Sequence, residues 1–147
     1  MSKGTDFSPV RLMNDVAAGT SNQNSAVLDM AGWDGVIFLT AFGAITASAV
    51  TSVKVQEDTD PAGGTMADIA GSGVSLAAGG ADDNKTVMHD VYRALKRYLR
   101  VVVLRATANA VIDGVWAIRY RGSKLPPTLD VTIKSLTTLV SPSEGAP

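Results

Sequence analysis

The chain has 147 residues and a net charge of −1, and its lysines and arginines form no continuous run, so binding dominated by a phosphate backbone is not expected. The absence of cysteine excludes a disulfide framework and a thiolate metal site. Met1 to Asp6 lacks the apolar stretch of a signal peptide and no segment approaches the ~20 apolar residues of a membrane helix, so the expectation is a soluble single domain made in the cytoplasm.

Residues 1–24 are polar and rich in Ser, Asn, Gly and Thr, with a short apolar patch at Val10 to Val16. They read as an N-terminal arm able to supply one edge strand. Ser25 to Met30 alternates, with Ala26, Leu28 and Met30 on one face, and Gly32-Trp-Asp-Gly35 reads as a turn with Gly35 as its flexible residue. Val36 to Thr40 is a short strand of the buried type, and Ala41 to Val50 is a loop or a short helix. Thr51 to Glu57 alternates, Val53 and Val55 facing in. Two loops, Asp58 to Gly64 and Gly79 to Lys85, flank a helical turn at Met66 to Ile69 and a short strand at Val74 to Ala77. Thr86 to Tyr92 alternates again, with Val87, His89 and Val91 sharing a face.

Lys96 to Arg121 organises the chain. It reads as two strands rich in β-branched residues, joined at Ala106-Thr-Ala-Asn109, and the short connection predicts an antiparallel hairpin. Side chains alternate with period two, which places Ile112, Trp116 and Ile118 on one face; Val101 and Trp116 are expected in the core, with Gly114 making room for Trp33 or Trp116. Pro126 and Pro127 end regular pairing, and Val131 to Lys134 and Leu136 to Val140 are β-prone segments of a C-terminal arm. Isolated strands are unstable in water, so that arm is expected to pair with a partner. The whole predicts an all-β fold: an antiparallel, jelly-roll-like β-sandwich of roughly seven or eight short strands at residues 25–123, between arms at 1–24 and 124–147.

Candidate chemistry is sparse. His89 is the only histidine, so a two-histidine metal site or a catalytic triad is excluded, and its alternating strand makes it a packing or interface residue. Asp58, Asp60, Asp82, Asp83 and Asp90 do not match the twelve-residue calcium loop and suit turn formation. Gly71-Ser-Gly73 lacks the third glycine of a dinucleotide fingerprint, and Asn84-Lys-Thr86 matches a glycosylation sequon without a secretory signal. Lys96-Arg-Tyr-Leu-Arg100 mixes basic and aromatic residues as single-strand binders do, but reads better as a strand edge whose charges meet solvent or carboxylates. No catalytic, cofactor-binding or metal-binding residue is therefore assigned, and no enzyme activity is expected.

Trp33-Asp-Gly-Val-Ile-Phe38, Asp83-Asn-Lys85, Asp90-Val-Tyr-Arg93, Lys96-Arg-Tyr-Leu-Arg-Val-Val-Val103, Arg105 to Val115, Tyr120-Arg-Gly-Ser-Lys-Leu-Pro126 and Leu139 to Gly145 together resemble a group of tailed-bacteriophage and prophage virion proteins, from Val27 to the C-terminus. The resemblance implies a small β-sandwich that decorates or cements the capsid. Its partners would be the major capsid protein and neighbouring copies of itself, with no membrane and no sequence-specific nucleic acid, at the virion surface. The alternatives are another virion part, such as a head–tail connector or tail component, and a glycan-binding sandwich; clustered loop aromatics would favour the latter, and only Trp33 qualifies in the sequence.

Overall fold

The computed structural model describes residues 6–137, which form two antiparallel sheets packed as a β-sandwich. Eleven strands are seen among these residues: β1 (Phe7–Met13), β2 (Val16–Gly19), β3 (Gln23–Asn24), β4 (Leu28–Asp29), β5 (Trp33–Ile45), β6 (Val50–Asp58), β7 (Ala67–Asp68), β8 (Val74–Leu76), β9 (Thr86–Tyr92), β10 (Tyr98–Ala106) and β11 (Ala110–Gly122). Sheet A has the order β1-β11-β5-β9, with β2 also on β11; sheet B has the order β3-β10-β6-β7, with β4 also on β10 and β8 on β6. Residues 7–24, set apart by composition, thus supply edge strands to both sheets.

The expected hairpin does not form. β10 is a middle strand of sheet B, paired with β6 from Tyr98↔Asp58 to Ala106↔Val50. β11 is a middle strand of sheet A, between β1 and β5. Their connection crosses from one layer to the other. Packed sheets lie ~10 Å apart, and the residues from 107 to 109 can span that distance at up to ~3.5 Å each. A short polar link between apolar strands therefore fits an arch as well as a hairpin. Thr107, at φ 69°, turns the chain. Arg105 closes the arch: only 4% exposed, its guanidinium donates to the carbonyls of Ala17, Ser21 and Ala110 at 3.0, 2.8 and 2.7 Å.

Both long strands of sheet A change face midway. Register shifts between Ala110 and Ile112 and between Ile112 and Gly114 interrupt the β5–β11 ladder. One inserted residue reverses the alternation beyond it. Ile112 therefore points into the core together with Val115 and Ala117, while Trp116 and Ile118 point out. Trp116, expected in the core, is half-buried on the outer face, with the Arg11 guanidinium 5.3 Å above its ring. Val101 is fully buried, as expected. Phe38, Phe42, Ile45, Leu99, Val101, Val103, Ile112 and Val115 form one core between the sheets.

Other local expectations also shift. Gly35 lies within β5, opposite Tyr120, and the turn comes earlier, at Gly32 with φ 79°. Residues 41–45 continue β5 rather than forming a loop or helix, and Met66 to Ile69 contains β7 in place of a helical turn. Val131 to Ile133 is not a strand. Asp130 folds that segment into a turn by accepting from Thr132, and the Arg11 amide donates to Thr132 Oγ1 at 2.9 Å, so the C-terminal segment lies beside β1. Leu136 and Thr137 are in no strand, and residues 138–140 of that predicted segment lie outside the described ones.

Candidate functional site

Most of the polar groups singled out in the sequence turn out to be structural. His89 is half-buried on the inner face of β9, and its Nε2 lies 2.7 Å from the Ser72 carbonyl. A carbonyl oxygen only accepts, so Nε2 carries the proton. Asp58 is buried and accepts from the amides of Thr59, Asp60 and Thr65 and from the Thr65 hydroxyl, knitting the following loop. Burial alone would raise its pKa, but these donors outweigh burial and hold it down at about 2. Asp60 accepts from the Ala62 amide, Asp82 from the Ala77 amide and Lys85, Asp83 from the Ile45 amide, and Asp90 from the Tyr120 hydroxyl. Asp58 and Asp60 serve one loop, Asp82 and Asp83 another, and Asp90 a cross-strand bond, and among the described residues no three metal-ligating side chains converge.

Two of the three cations of the basic patch, Arg97 and Arg100, are partnered within the chain. Arg97 makes a bidentate pair with Asp29, both contacts at 2.7 Å, and this hydrogen bonding lowers the Asp29 pKa. Arg100 donates to Gln56, and Lys54 pairs with Asp68 at 2.8 Å. Arg97, Arg100 and Lys54 thus meet carboxylates and an amide of their own chain, on a face that also carries Tyr98, Val102 and Leu104.

The outer face of sheet A is different. The register places side chains in rows across four strands: Arg11, Trp116, Leu39 and Met88 in one, Pro9, Ile118, Ile37 and Asp90 in the next, Phe7, Tyr120, Gly35 and Tyr92 in the third. Met88 is 66% exposed, Tyr92 46% and Phe7 37%. These apolar residues are neighbours on one sheet face, with Arg11 and Asp90 among them, rather than scattered singly.

The third row forms an aromatic end to this face. Tyr120 donates to Asp90 at 2.6 Å, and burial, then this bond, raises its pKa to about 12. Two guanidinium groups lie near the Tyr92 ring, Arg93 at 5.2 Å and Arg121 at 5.9 Å from its centroid. Both arginines hold left-handed backbones, φ 53° and 54°, a conformation that costs a non-glycine residue about 1 kcal/mol or more and concentrates at functional surfaces. Phe7, Asp90, Tyr92, Tyr120, Arg121 and Leu125 border an open cavity of about 560 Å³. Sequence reading missed this cluster because its members come from three strands, β1, β9 and β11, and the C-terminal segment. Trp33, the single loop aromatic of the sequence reading, instead begins β5, with the Arg119 guanidinium 5.1 Å above its ring.

No protein-family model matches the sequence, and no curated protein matches it either. Among solved structures the chain is similar to one from the Bacillus endospore appendages, described as a novel family of disulfide-linked pili: identity is 14% over 78% of this chain and 88% of that one, with a TM-score of 0.48.

Proposed function

We propose that the chain is a decoration, or cement, protein of a tailed-bacteriophage capsid, seated on the outer shell through the outer face of sheet A. The observation that supports this reading is the difference between the two outer faces: on sheet B the cations Lys54, Arg97 and Arg100 are tied to Asp68, Asp29 and Gln56, while on sheet A the half-buried Leu39, Trp116 and Ile118 adjoin the exposed Met88. The likeness of Trp33 to Phe38, Lys96 to Val103 and Tyr120 to Pro126 to virion proteins points the same way. On this reading the work is adhesion without catalysis or cofactor, on the major capsid protein and beside neighbouring copies. Four strands ~4.8 Å apart and about seven residues long give a projected footprint of roughly 400 Å², against ~800 Å² per partner for a standard interface. Neighbouring copies or the C-terminal arm must supply the rest.

The test is to mix purified protein with undecorated shells of the phage that encodes it and count bound copies. Binding at a copy number comparable with the capsid protein is expected. Leu39→Asp with Ile118→Asp should abolish it while circular dichroism is preserved, and a chain lacking 135–147 should bind more weakly. No binding overturns the reading, and a low fixed copy number replaces it with a connector.

One observation favours a second reading, a glycan-binding module. Phe7, Tyr92 and Tyr120 converge with Asp90 and Arg121 around the open cavity, a combination of apolar rings and a few polar groups that suits a small ligand. Saturation-transfer NMR against host-surface glycans, with Tyr92→Ala as control, decides it: a signal lost in the variant supports this reading, and no signal removes it.

A further inference from the structure

The edges of the sandwich are unequally protected. Strand edges template pairing with other chains, and proteins blunt them with proline, bulges, charges, short strands or cover. β1 contains Pro9 and a register shift between Arg11 and Met13, and its Arg11 amide is taken by Thr132. The β3/β4 and β7/β8 edges are built of two- and three-residue strands. Of these devices β9 has only the charge of Asp90, which Tyr120 engages: it is seven residues long, without proline, glycine or register shift.

The hydrogen-bond phase of β9 is fixed by its ends. Phe42 donates to the Lys85 carbonyl and Arg93 to the Asp34 carbonyl. Antiparallel ladders alternate bonded and non-bonded pairs, so Val87, His89 and Val91 bond to β5. The N–H and C=O groups of Thr86, Met88, Asp90 and Tyr92 point outward, and none is taken by a strand of the described residues.

We infer that β9 pairs antiparallel with β9 of a second copy across a two-fold axis at His89, joining two A sheets into one. This register sets Met88 against the second copy's Asp90 and Thr86 against its Tyr92, so every outward residue is bonded. On the inner side Val87 meets the second copy's Val91. A shift of two residues leaves Thr86 or Tyr92 unpaired, and in one direction opposes Asp90 to Asp90, where like charges repel. The pairing doubles the apolar outer face, yet it does not rest on the capsid reading.

Sedimentation velocity of the full chain tests it, with twice the 15.2 kDa chain mass expected at micromolar concentration. Met88→Pro removes only an outward N–H and should give a folded monomer. Met88→Glu, opposite the second copy's Asp90, should weaken the dimer at least about tenfold, whereas Met88→Lys should not; this pair decides the matter if the proline variant fails to fold. The chain has no cysteine, so His89→Cys should cross-link on oxidation and Thr86→Cys should not, since only a residue on the axis meets itself. A wild-type monomer at hundreds of micromolar, a dimer indifferent to Met88→Pro, or cross-linking at Thr86→Cys alone each overturns the proposal.

Discussion

The ring of Tyr120 lies on Gly35, the residue directly opposite it in the neighbouring strand, and a Cβ at Gly35 would overlap the ring's Cζ and hydroxyl. Gly122 and Trp33 repeat the arrangement one pair further along, with a Cβ at Gly122 reaching 2.7 Å from the indole. The glycines are places where a ring covers bare backbone, and here the ring is also held by Asp90. Gly35→Ala should therefore lift the ring, break that bond and cost about 1–3 kcal/mol, as overpacking does. Gly73→Ala, where nothing lies within 4 Å, should be near neutral. Thermal melts of the two variants check this; equal midpoints would show that the ring moves aside freely.

Phe38→Ala should cost about 3–5 kcal/mol, a large part of the ~5–15 kcal/mol available to a typical domain. Trp116→Ala should cost clearly less, because its ring faces outward and loses less burial. Denaturant unfolding of both variants gives the order, and the opposite order would return Trp116 to the core.

Thr40 is fully buried in β5, and its hydroxyl has no hydrogen-bond partner. An unsatisfied buried hydroxyl costs about 1–3 kcal/mol, and valine keeps the branched shape without it. Thr40→Val is expected to raise the melting midpoint by a few degrees, as a gain of about 1 kcal/mol does. A lower midpoint would mean the hydroxyl is solvated.

Asp58 gives the fold a pH dependence of known sign. Its folded pKa of about 2 lies below the ~3.9 of an unfolded aspartate, so the folded state binds fewer protons between these values. The stabilisation is complete above roughly pH 5 and is lost as pH falls through about 4 toward 2. Asp58→Asn should be less stable than wild type at pH 7, with the gap closing as melts are repeated down to pH 2. A gap independent of pH would assign the loss to altered loop geometry instead.

The all-β character and strands β6 and β9 were legible because inward and outward residues alternate along them, and β10 because of its run of β-branched residues. Trp116 was misplaced because a bulge near Gly114 reverses facing, and one inserted residue leaves no mark on a string of apolar letters. The arch at Thr107 was read as a hairpin because connection length alone does not separate crossing a layer from pairing within one. The aromatic end of sheet A was illegible for a different reason: Phe7, Tyr92 and Tyr120 become neighbours only through the register of β1, β11, β5 and β9.

The arch also dictates the order in which the molecule can fold. With β10 and β11 in different layers, no strand pair of sheet A is local: β1 waits for β11, as in Phe7 with Tyr120, and β5 pairs only with β9 and β11. β11 is the last strand of the described residues and holds β1, β2 and β5 together, so a nascent chain carries its apolar β1 and β5 without their central partner until residues 110–122 emerge. Loop closure over such separations is slow, and unpaired strands are exposed in the meantime. Chains halted before β11 should therefore be aggregation-prone or held by chaperones, and the fold should assemble only after the segment that closes sheet A has been made.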